Sequence, residues 1–220
     1  MGSCMDATKI KLLDLLAQQN TRFVVPSYKH PYTWSTIQCS KLLKDLLKNS
    51  SGDKQISSFG TVVLLDSGLI PETNLALKQL LDGQQRLVSV SLLLIALADF
   101  AKNNPHLHLH FSFEEILNRQ MILLTDYKNS NKYKLALTAE DNASYQSLLD
   151  SLLFEDSEAV RDSENIVDNL NFFKEKIALL DNVSELWDVL SELEVYVLSL
   201  VQGEDNPEFV YEAMMFEYYK

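Results

Sequence analysis

The sequence predicts an α+β protein, in which a small mixed sheet with its helices is followed by a mainly helical C-terminal part. Strand-like and helix-like segments alternate through the first 138 residues, as is typical of a sheet flanked by helices. Three helical patterns then follow one another, at 140–153, 164–180 and 184–191. The run 193–201, rich in Val and Leu, indicates one returning strand. We therefore expect a core over 1–138 and a helical extension over 139–220 that packs on the same core.

The first sixty residues are predicted to form two helices and one strand around a loop with two prolines. Residues 6–19 predict a helix, because capping residues precede an apolar stripe at helical spacing. Arg22–Val25 is a short apolar run that predicts a strand. The prolines keep the segment Pro26–Trp34 out of helical conformation. Ser35 is a typical N-cap for a second helix that runs to Lys48.

The middle of the chain is predicted to supply further strands and a long apolar helix. Phe59–Leu65 and Leu75–Leu81 are β-rich runs with turn-forming residues between them. The second run stops at Asp82-Gly83, and Gln84–Phe100 then predicts a buried helix. The remaining predictions are a short helix over 112–118 capped by Ser112, a strand pair over 121–124 and 133–138, and a last helix opened by Pro207.

Composition excludes several classes of protein. Apolar residues make up 46% and charged residues 23% of the 220 residues, as in soluble globular proteins. Two cysteines are too few for a disulfide-rich secreted scaffold. The longest apolar stretch, Val88–Ala98, is too short to span a bilayer, and the first residues do not resemble a signal peptide. We therefore expect a cytoplasmic protein without a membrane partner.

The charge is distributed unevenly along the chain. The net charge of −12 argues against a protein that coats polyanions nonspecifically. Residues 1–60 nevertheless carry +4, whereas residues 139–220 carry −16. An anionic ligand is therefore expected to meet the first part of the chain, and the acidic part is expected to be a solvated surface.

The strongest candidate for chemistry is the turn Asp82-Gly83-Gln84-Gln85-Arg86. A strand ends there and a helix begins, so that free amides and the positive end of the helix dipole can attract an anion. Gln84 and Gln85 could donate to phosphate oxygens or position a water, and Arg86 could clamp a phosphate. Asp82 could hold Mg²⁺ or cap the helix. The alternative is an ordinary capped turn with its polar side chains in solvent.

Several further motifs accompany this turn. Their order and spacing along the chain match those of one protein family. The sequence resembles the N-terminal domain of GmrSD-type restriction endonucleases, a bacterial family with a ParB/sulfiredoxin-like fold. The motifs that carry the resemblance are Phe23–Trp34, Phe59–Leu64, Asp82–Leu87, Tyr133–Asp141, Leu193–Leu198 and the segment 204–212.

The resemblance implies a nucleotide-binding, NTP-hydrolysing domain that regulates DNA cleavage in anti-phage defence. GTP or ATP is the implied ligand, with Mg²⁺ as cofactor. Cleavage is implied to belong to an HNH-type nuclease domain or subunit, which is not visible in this sequence. DNA, including modified DNA, and a second copy of the chain are further expected partners. The catalytic residues implied are Asp82, Gln84, Gln85 and Arg86, and the phosphate-binding residues implied are Tyr28, Lys29, His30, Gly83, Arg86 and Ser89.

The sequence departs from the family pattern at several positions. Lys29-His30 stand where the family has Gln-Arg, and Val88 replaces a threonine. A lysine keeps the positive charge but loses the fork of the guanidinium. These departures leave two alternatives open: a DNA-binding module without turnover, or a degenerate member that binds other proteins. Tyr32 and Trp34 are expected to brace their loop against the core, whereas Tyr28 could either stack on a ligand or do the same.

Overall fold

The computed structural model describes residues 6–50, 58–123, 132–154, 160–201 and 203. The described strands are β1 (Asp6–Lys11), β2 (Thr21–Val24), β3 (Ser58–Ile70), β4 (Leu75–Asp82), β5 (Leu135–Ala136) and β6 (Glu194–Val201). The described helices are α1 (Leu12–Ala17), α2 (Thr36–Ser50), α3 (Gln84–Asn103), α4 (Phe113–Ile116), α5 (Ala139–Leu153), α6 (Glu164–Ala178) and α7 (Val183–Glu192). A π-helical turn, Leu117–Met121, follows α4 directly.

The six strands form one mixed sheet in the order β1-β6-β3-β4-β2-β5. β2 runs parallel to both β4 and β5, whereas β3 is antiparallel to β4 and parallel to β6. The carboxyl ends of β2, β4 and β5 therefore lie at the same edge as the amino end of β3. This edge carries the Pro26–Trp34 loop, which follows β2, and the Asp82–Arg86 turn, which follows β4. The mixed sheet with helices confirms the predicted fold class.

The central helix is α3, which is fully enclosed by the rest of the protein along most of its length. Every residue from Leu87 to Ala98 is buried, and α6 packs along it. The helix is long and apolar enough to span a membrane, but 67% of its most apolar 18-residue window is buried inside the protein. These properties are those of the core helix of a globular protein.

The first predicted helix is wrong over residues 6–11. Residues 6–19 do not form a single helix, because 6–11 are strand β1 and only Leu12–Ala17 are helical. β1 pairs antiparallel with β6, from Asp6 opposite Ser199 to Lys11 opposite Glu194. This pairing with a strand more than 180 residues away outweighs the local helical pattern, which tertiary contacts commonly override.

The other predicted elements, apart from the strand over 121–124, are confirmed within the residues that the structure describes, with shifted ends. β3 continues beyond the predicted Leu65 to Ile70. The predicted pair over 121–124 and 133–138 is reduced to an isolated bridge between Ile122 and Tyr133, while β5 joins β2 instead. Residues 124–131 and the predicted helix after Pro207 lie outside the described residues. The division at residue 138 stays a prediction, and β6 from the second part lies between β1 and β3.

Candidate functional site

The Asp82–Arg86 turn joins β4 to α3 at the edge of the sheet. Gly83 is the N-cap of α3 and adopts a left-handed conformation with φ +88°. A Cβ atom there would lie 3.0 Å from Val62 Cγ2 and 3.2 Å from the Thr61 carbonyl oxygen, so this approach to β3 requires glycine. The first intrahelical bond is donated by the Leu87 amide to the Gly83 carbonyl, at 2.9 Å. The amides before it form the electropositive end of the helix.

The two glutamines of the turn bind the backbone of the Pro26–Trp34 loop. Gln84 Nε2 donates to the His30 carbonyl oxygen at 2.9 Å. Gln85 bonds three loop residues: its Nε2 donates to the Pro31 carbonyl oxygen at 3.2 Å, and its Oε1 accepts from the amides of Thr33 at 2.9 Å and Trp34 at 3.2 Å. The start of α3 therefore determines the position of a loop that lacks regular secondary structure of its own.

Arg86 connects the same helix end to β3. Its Nη1 donates to the Phe59 carbonyl oxygen at 2.7 Å, and its Nη2 donates to that of Thr61 at 2.8 Å. The guanidinium also lies 5.6 Å from the centroid of the Phe59 ring, within cation–π range. Gly60, between these two acceptors, has φ +95°. The predicted phosphate clamp is therefore engaged with the protein's own backbone in this structure.

Two of the predicted nucleotide-binding residues, Arg86 and Tyr28, line different cavities. Arg86 lines a cavity of about 330 Å³, together with Trp34, Gln38, Lys41, Asp45 and Phe59. Tyr28, which is 70% exposed, lines another cavity of about 470 Å³ at the carboxyl ends of β2 and β5. The walls of this second cavity include Ser27, Ser67, Gln79 and Thr138.

The remaining predicted residues lie around the turn in different environments. Lys29 is partly buried, and its amide donates to the Pro26 carbonyl oxygen at 3.0 Å. The His30 side chain is exposed, while its carbonyl binds Gln84. Asp82 is partly buried at the end of β4, opposite Val63 of β3. The structure thus brings His30 and Gln84 into direct contact.

Ser89 lies in a buried network behind the loop. Its side chain is fully buried, and its hydroxyl bonds the Tyr32 hydroxyl at 2.6 Å and the Gln85 carbonyl oxygen at 2.9 Å. Asn169 of α6 donates to the same Tyr32 hydroxyl at 3.0 Å. Burial raises the pKa of the Tyr32 phenol well above its usual value, so the group stays protonated. The predicted contact of Ser89 with phosphate would require Tyr32 to move, whereas the predicted bracing role of Tyr32 fits this network.

Asp141 is a site residue for which sequence reasoning gave no role. Its carboxylate is buried and accepts hydrogen bonds from the Tyr32 amide at 2.6 Å, the Thr138 hydroxyl at 3.2 Å and the Ser163 hydroxyl at 2.7 Å. Two asparagines of α6 also hold the loop, since Asn165 donates to the Tyr32 carbonyl oxygen and Asn169 to that of Trp34. The available signal was Asp141 itself, which ends one of the motifs shared with the family.

Protein ligands for a resident metal ion are sparse around the turn. Among the described residues, no group of three or more His, Cys, Asp and Glu side chains could hold a metal. Asp82 is the carboxylate of the turn itself. Mg²⁺ commonly binds one or two carboxylates together with substrate phosphates, so this residue fits a metal that arrives with a nucleotide.

Comparison with known proteins identifies the family of this chain. A search of curated proteins finds no match. The family model described as the GmrSD restriction endonuclease, N-terminal domain, matches residues 12–217, which include the turn, the loop and all of the described strands except β1. The chain therefore belongs to the GmrSD restriction endonuclease N-terminal domain family, a component of restriction systems.

Proposed function

We propose that this chain is a nucleoside-triphosphate-binding regulatory module of a bacterial restriction system, with the nucleotide at the Asp82–Arg86 turn. One observation carries the proposal: Gln84, Gln85 and Arg86 open a helix and each donates to a backbone carbonyl outside it. A phosphate oxygen accepts the same hydrogen bonds, and more strongly because it is charged. The amides at the start of α3 favour the same ligand.

Nucleotide binding at the turn would alter the position of the Pro26–Trp34 loop. The side chains that would turn towards the phosphates are the same ones that now hold this loop. Tyr28, Lys29 and His30 belong to the loop, and we propose that they contact the nucleotide after it moves. Asn165 and Asn169 bind the same loop from α6, so its movement would be transmitted to the helical part.

Hydrolysis of GTP or ATP is the further step that we propose for this turn. Asp82 would hold the Mg²⁺ that accompanies the phosphates. A glutamine amide released from its loop carbonyl could orient the attacking water, and Arg86 could stabilise the negative charge that develops on the phosphate. Ser89 would approach the phosphates only if Tyr32 withdraws from it.

Membership in a restriction family supports DNA as the macromolecular partner. We propose that the nucleotide state controls cleavage by an HNH-type nuclease domain or subunit during cytoplasmic anti-phage defence. Modified DNA and a second copy of the chain are the other partners that this role would involve.

A DNA-binding module without nucleotide turnover is the second candidate. The engagement of Arg86, which already donates to two carbonyl oxygens of β3, weighs against its use as a phosphate clamp and so favours a role without nucleotide. A guanidinium in this position stabilises the packing of α3 on the sheet without any ligand. In that case nucleotides would not bind, whereas DNA affinity would fall steeply with salt.

Isothermal titration with GTP and with ATP, each with Mg²⁺, tests the first candidate. The informative variant is Gln84→Glu, because a helix N-terminus tolerates a carboxylate that would nevertheless repel phosphate. We expect its affinity to fall at least about tenfold. Gln19→Glu is the control. Gln19 is exposed, and its substitution by glutamate changes the net charge by the same amount as Gln84→Glu. Absence of heat from the unaltered protein with both nucleotides, or equal affinities of the two variants, would contradict the proposal.

A further inference from the structure

The solvent-exposed face of α2 carries a row of positive charge. Lys41, Lys44 and Lys48 recur at spacings of three and four residues, which places them on one side of the helix, and all three are exposed. We call these three residues the lysine stripe. Ile37, which is 78% exposed, continues the same line towards the start of the helix. The opposite side of α2 is fixed in the core by Cys39, Leu43 and Leu46.

The ammonium groups of the stripe are not neutralised by the part of the chain that the structure describes. No described carboxylate forms an ion pair with Lys41, Lys44 or Lys48. This includes Asp45, which lies one helical turn from Lys41. Four other described lysines do have such partners: Lys9 with Glu194, Lys11 with Glu192, Lys132 with Asp150, and Lys174 with Asp99. Within the described residues, the stripe therefore combines three lysines that lack an ion-pair partner with a single carboxylate, Asp45, on the same helix.

We infer that the lysine stripe binds the phosphate backbone of duplex DNA. The inference rests on the proposed function, which supplies DNA as the partner. It adds the surface of the protein that holds the DNA. The stripe spans about 10 Å at 1.5 Å per helical residue. That length covers about three phosphates, since one strand of DNA presents one charge per 3.4 Å of axis. Contacts of this kind position the protein without reading the base sequence.

The charge of the rest of the chain orients this contact. The protein carries −12 overall and −16 over residues 139–220, so its acidic helical part repels DNA. Residues 1–60, which contain α2, carry +4. Lys41 also lines the cavity that contains Arg86 and Trp34. DNA on the stripe would therefore lie beside the turn at which we propose nucleotide binding.

The experiment measures the affinity of the full chain for a labelled duplex by fluorescence anisotropy over a range of salt concentrations. The test variant combines Lys41→Gln, Lys44→Gln and Lys48→Gln. We expect the slope of log K against log salt to become shallower by about three, because each phosphate that a lysine neutralises contributes about 0.9 to the slope. The control combines Lys102→Gln, Lys174→Gln and Lys176→Gln on α3 and α6, which removes the same charge and should leave the slope unchanged.

Three results would overturn the inference: no DNA binding by the unaltered chain, an unchanged slope in the stripe variant, or an equal change in the control. Circular dichroism establishes that both variants fold, which Lys→Gln changes outside the core should permit. Titration of the unaltered chain with nucleotide separates the two proposals. If the unaltered chain binds no nucleotide while the stripe variant shows the expected change in slope, the proposed nucleotide site fails and the DNA surface stands.

Discussion

Arg86 Nη1 lies 1.9 Å from the point that a Cβ atom would occupy on Gly60. The two residues fit together only because Gly60 has no side chain and adopts φ +95°, which L-residues with side chains rarely do. The guanidinium bonds the carbonyls of Phe59 and Thr61 on either side of this glycine. Two separate motifs of the sequence, Phe59-Gly60 and the Asp82–Arg86 turn, thus form one contact between α3 and β3.

Gly60→Ala should lower the free energy of unfolding more than an alanine substitution at another glycine of positive φ that has no close neighbour. A left-handed conformation costs an alanine about 1–2 kcal/mol, and the clash would also displace Arg86 from its acceptors at about 1–3 kcal/mol. Urea unfolding measures the total. Gly68→Ala is the control, because Gly68 has φ +85° and no atom within 4 Å of its virtual Cβ. Equal losses from the two substitutions would contradict the proposed fit.

Gln85→Ala should loosen the Pro26–Trp34 loop while the core remains folded. The substitution removes one donor and an acceptor shared by two amides, so the Thr33 and Trp34 amides should exchange with deuterium at least about tenfold faster. Gln85→Glu keeps the acceptor for these amides and loses the donor to Pro31, so it should protect them better than alanine. Equal exchange in both variants would mean that Gln85 does not hold the loop.

Asp141→Ala should cost more stability than Asp141→Asn. Alanine leaves the buried Tyr32 amide without its acceptor, at about 1–3 kcal/mol. Asparagine retains one acceptor oxygen for that amide, and its NH₂ group can donate to the Ser163 hydroxyl. Thermal or urea unfolding at neutral pH compares the two variants. If they are equally stable, the hydrogen bonds that Asp141 makes to Tyr32 and Ser163 do not contribute measurably to the stability of the fold.

We expect the free energy of unfolding to increase as the pH rises above about 8, because the buried side chain of Lys134 then loses its proton. Its ammonium group is buried against the carbonyls of Leu16, Gln18 and Arg119, and burial lowers its pKa from 10.5 to about 8. Between these two pH values the unfolded chain binds more protons than the folded one, so the free energy of unfolding increases with pH.

The expected increase from Lys134 is on the order of 3 kcal/mol. Urea unfolding at pH 7 and pH 10 measures it as the difference between the unaltered protein and Lys134→Met, in which other titrating groups largely cancel. Methionine leaves three carbonyls without a donor and should be less stable at both pH values. A stability difference that stays constant from pH 7 to pH 10 would show that Lys134 titrates normally.

Local patterns predicted most of the fold, because most elements showed both a regular spacing of apolar residues and capping or turn residues at their ends. Asp82-Gly83 marked the end of β4 and the start of α3, and Ser112 marked α4, where its hydroxyl accepts from the Glu115 amide at 3.0 Å. The strand β1 was missed because its partner, β6, is distant in sequence and supplies its backbone hydrogen bonds. A local pattern contains no information about such a partner.

The candidate site was predictable as a position but not as a set of contacts. The turn and its glycine follow from local chemistry, whereas the acceptors of Gln84, Gln85 and Arg86 are backbone carbonyls. Every residue type presents a carbonyl, so sequence cannot identify which one is used. The same limit applies to Ser89, whose burial depends on the packing of Tyr32 from a loop 57 residues away.

The most direct test of the account is the fluorescence of Trp34 during titration with GTP or ATP and Mg²⁺. The chain has two tryptophans, and Trp187→Phe leaves Trp34 as the single reporter in the loop. Our account predicts a saturable change in its emission that Gln84→Glu weakens and Gln19→Glu does not. Emission that stays constant at saturating concentrations of both nucleotides would contradict the claim that this turn couples nucleotide binding to the loop.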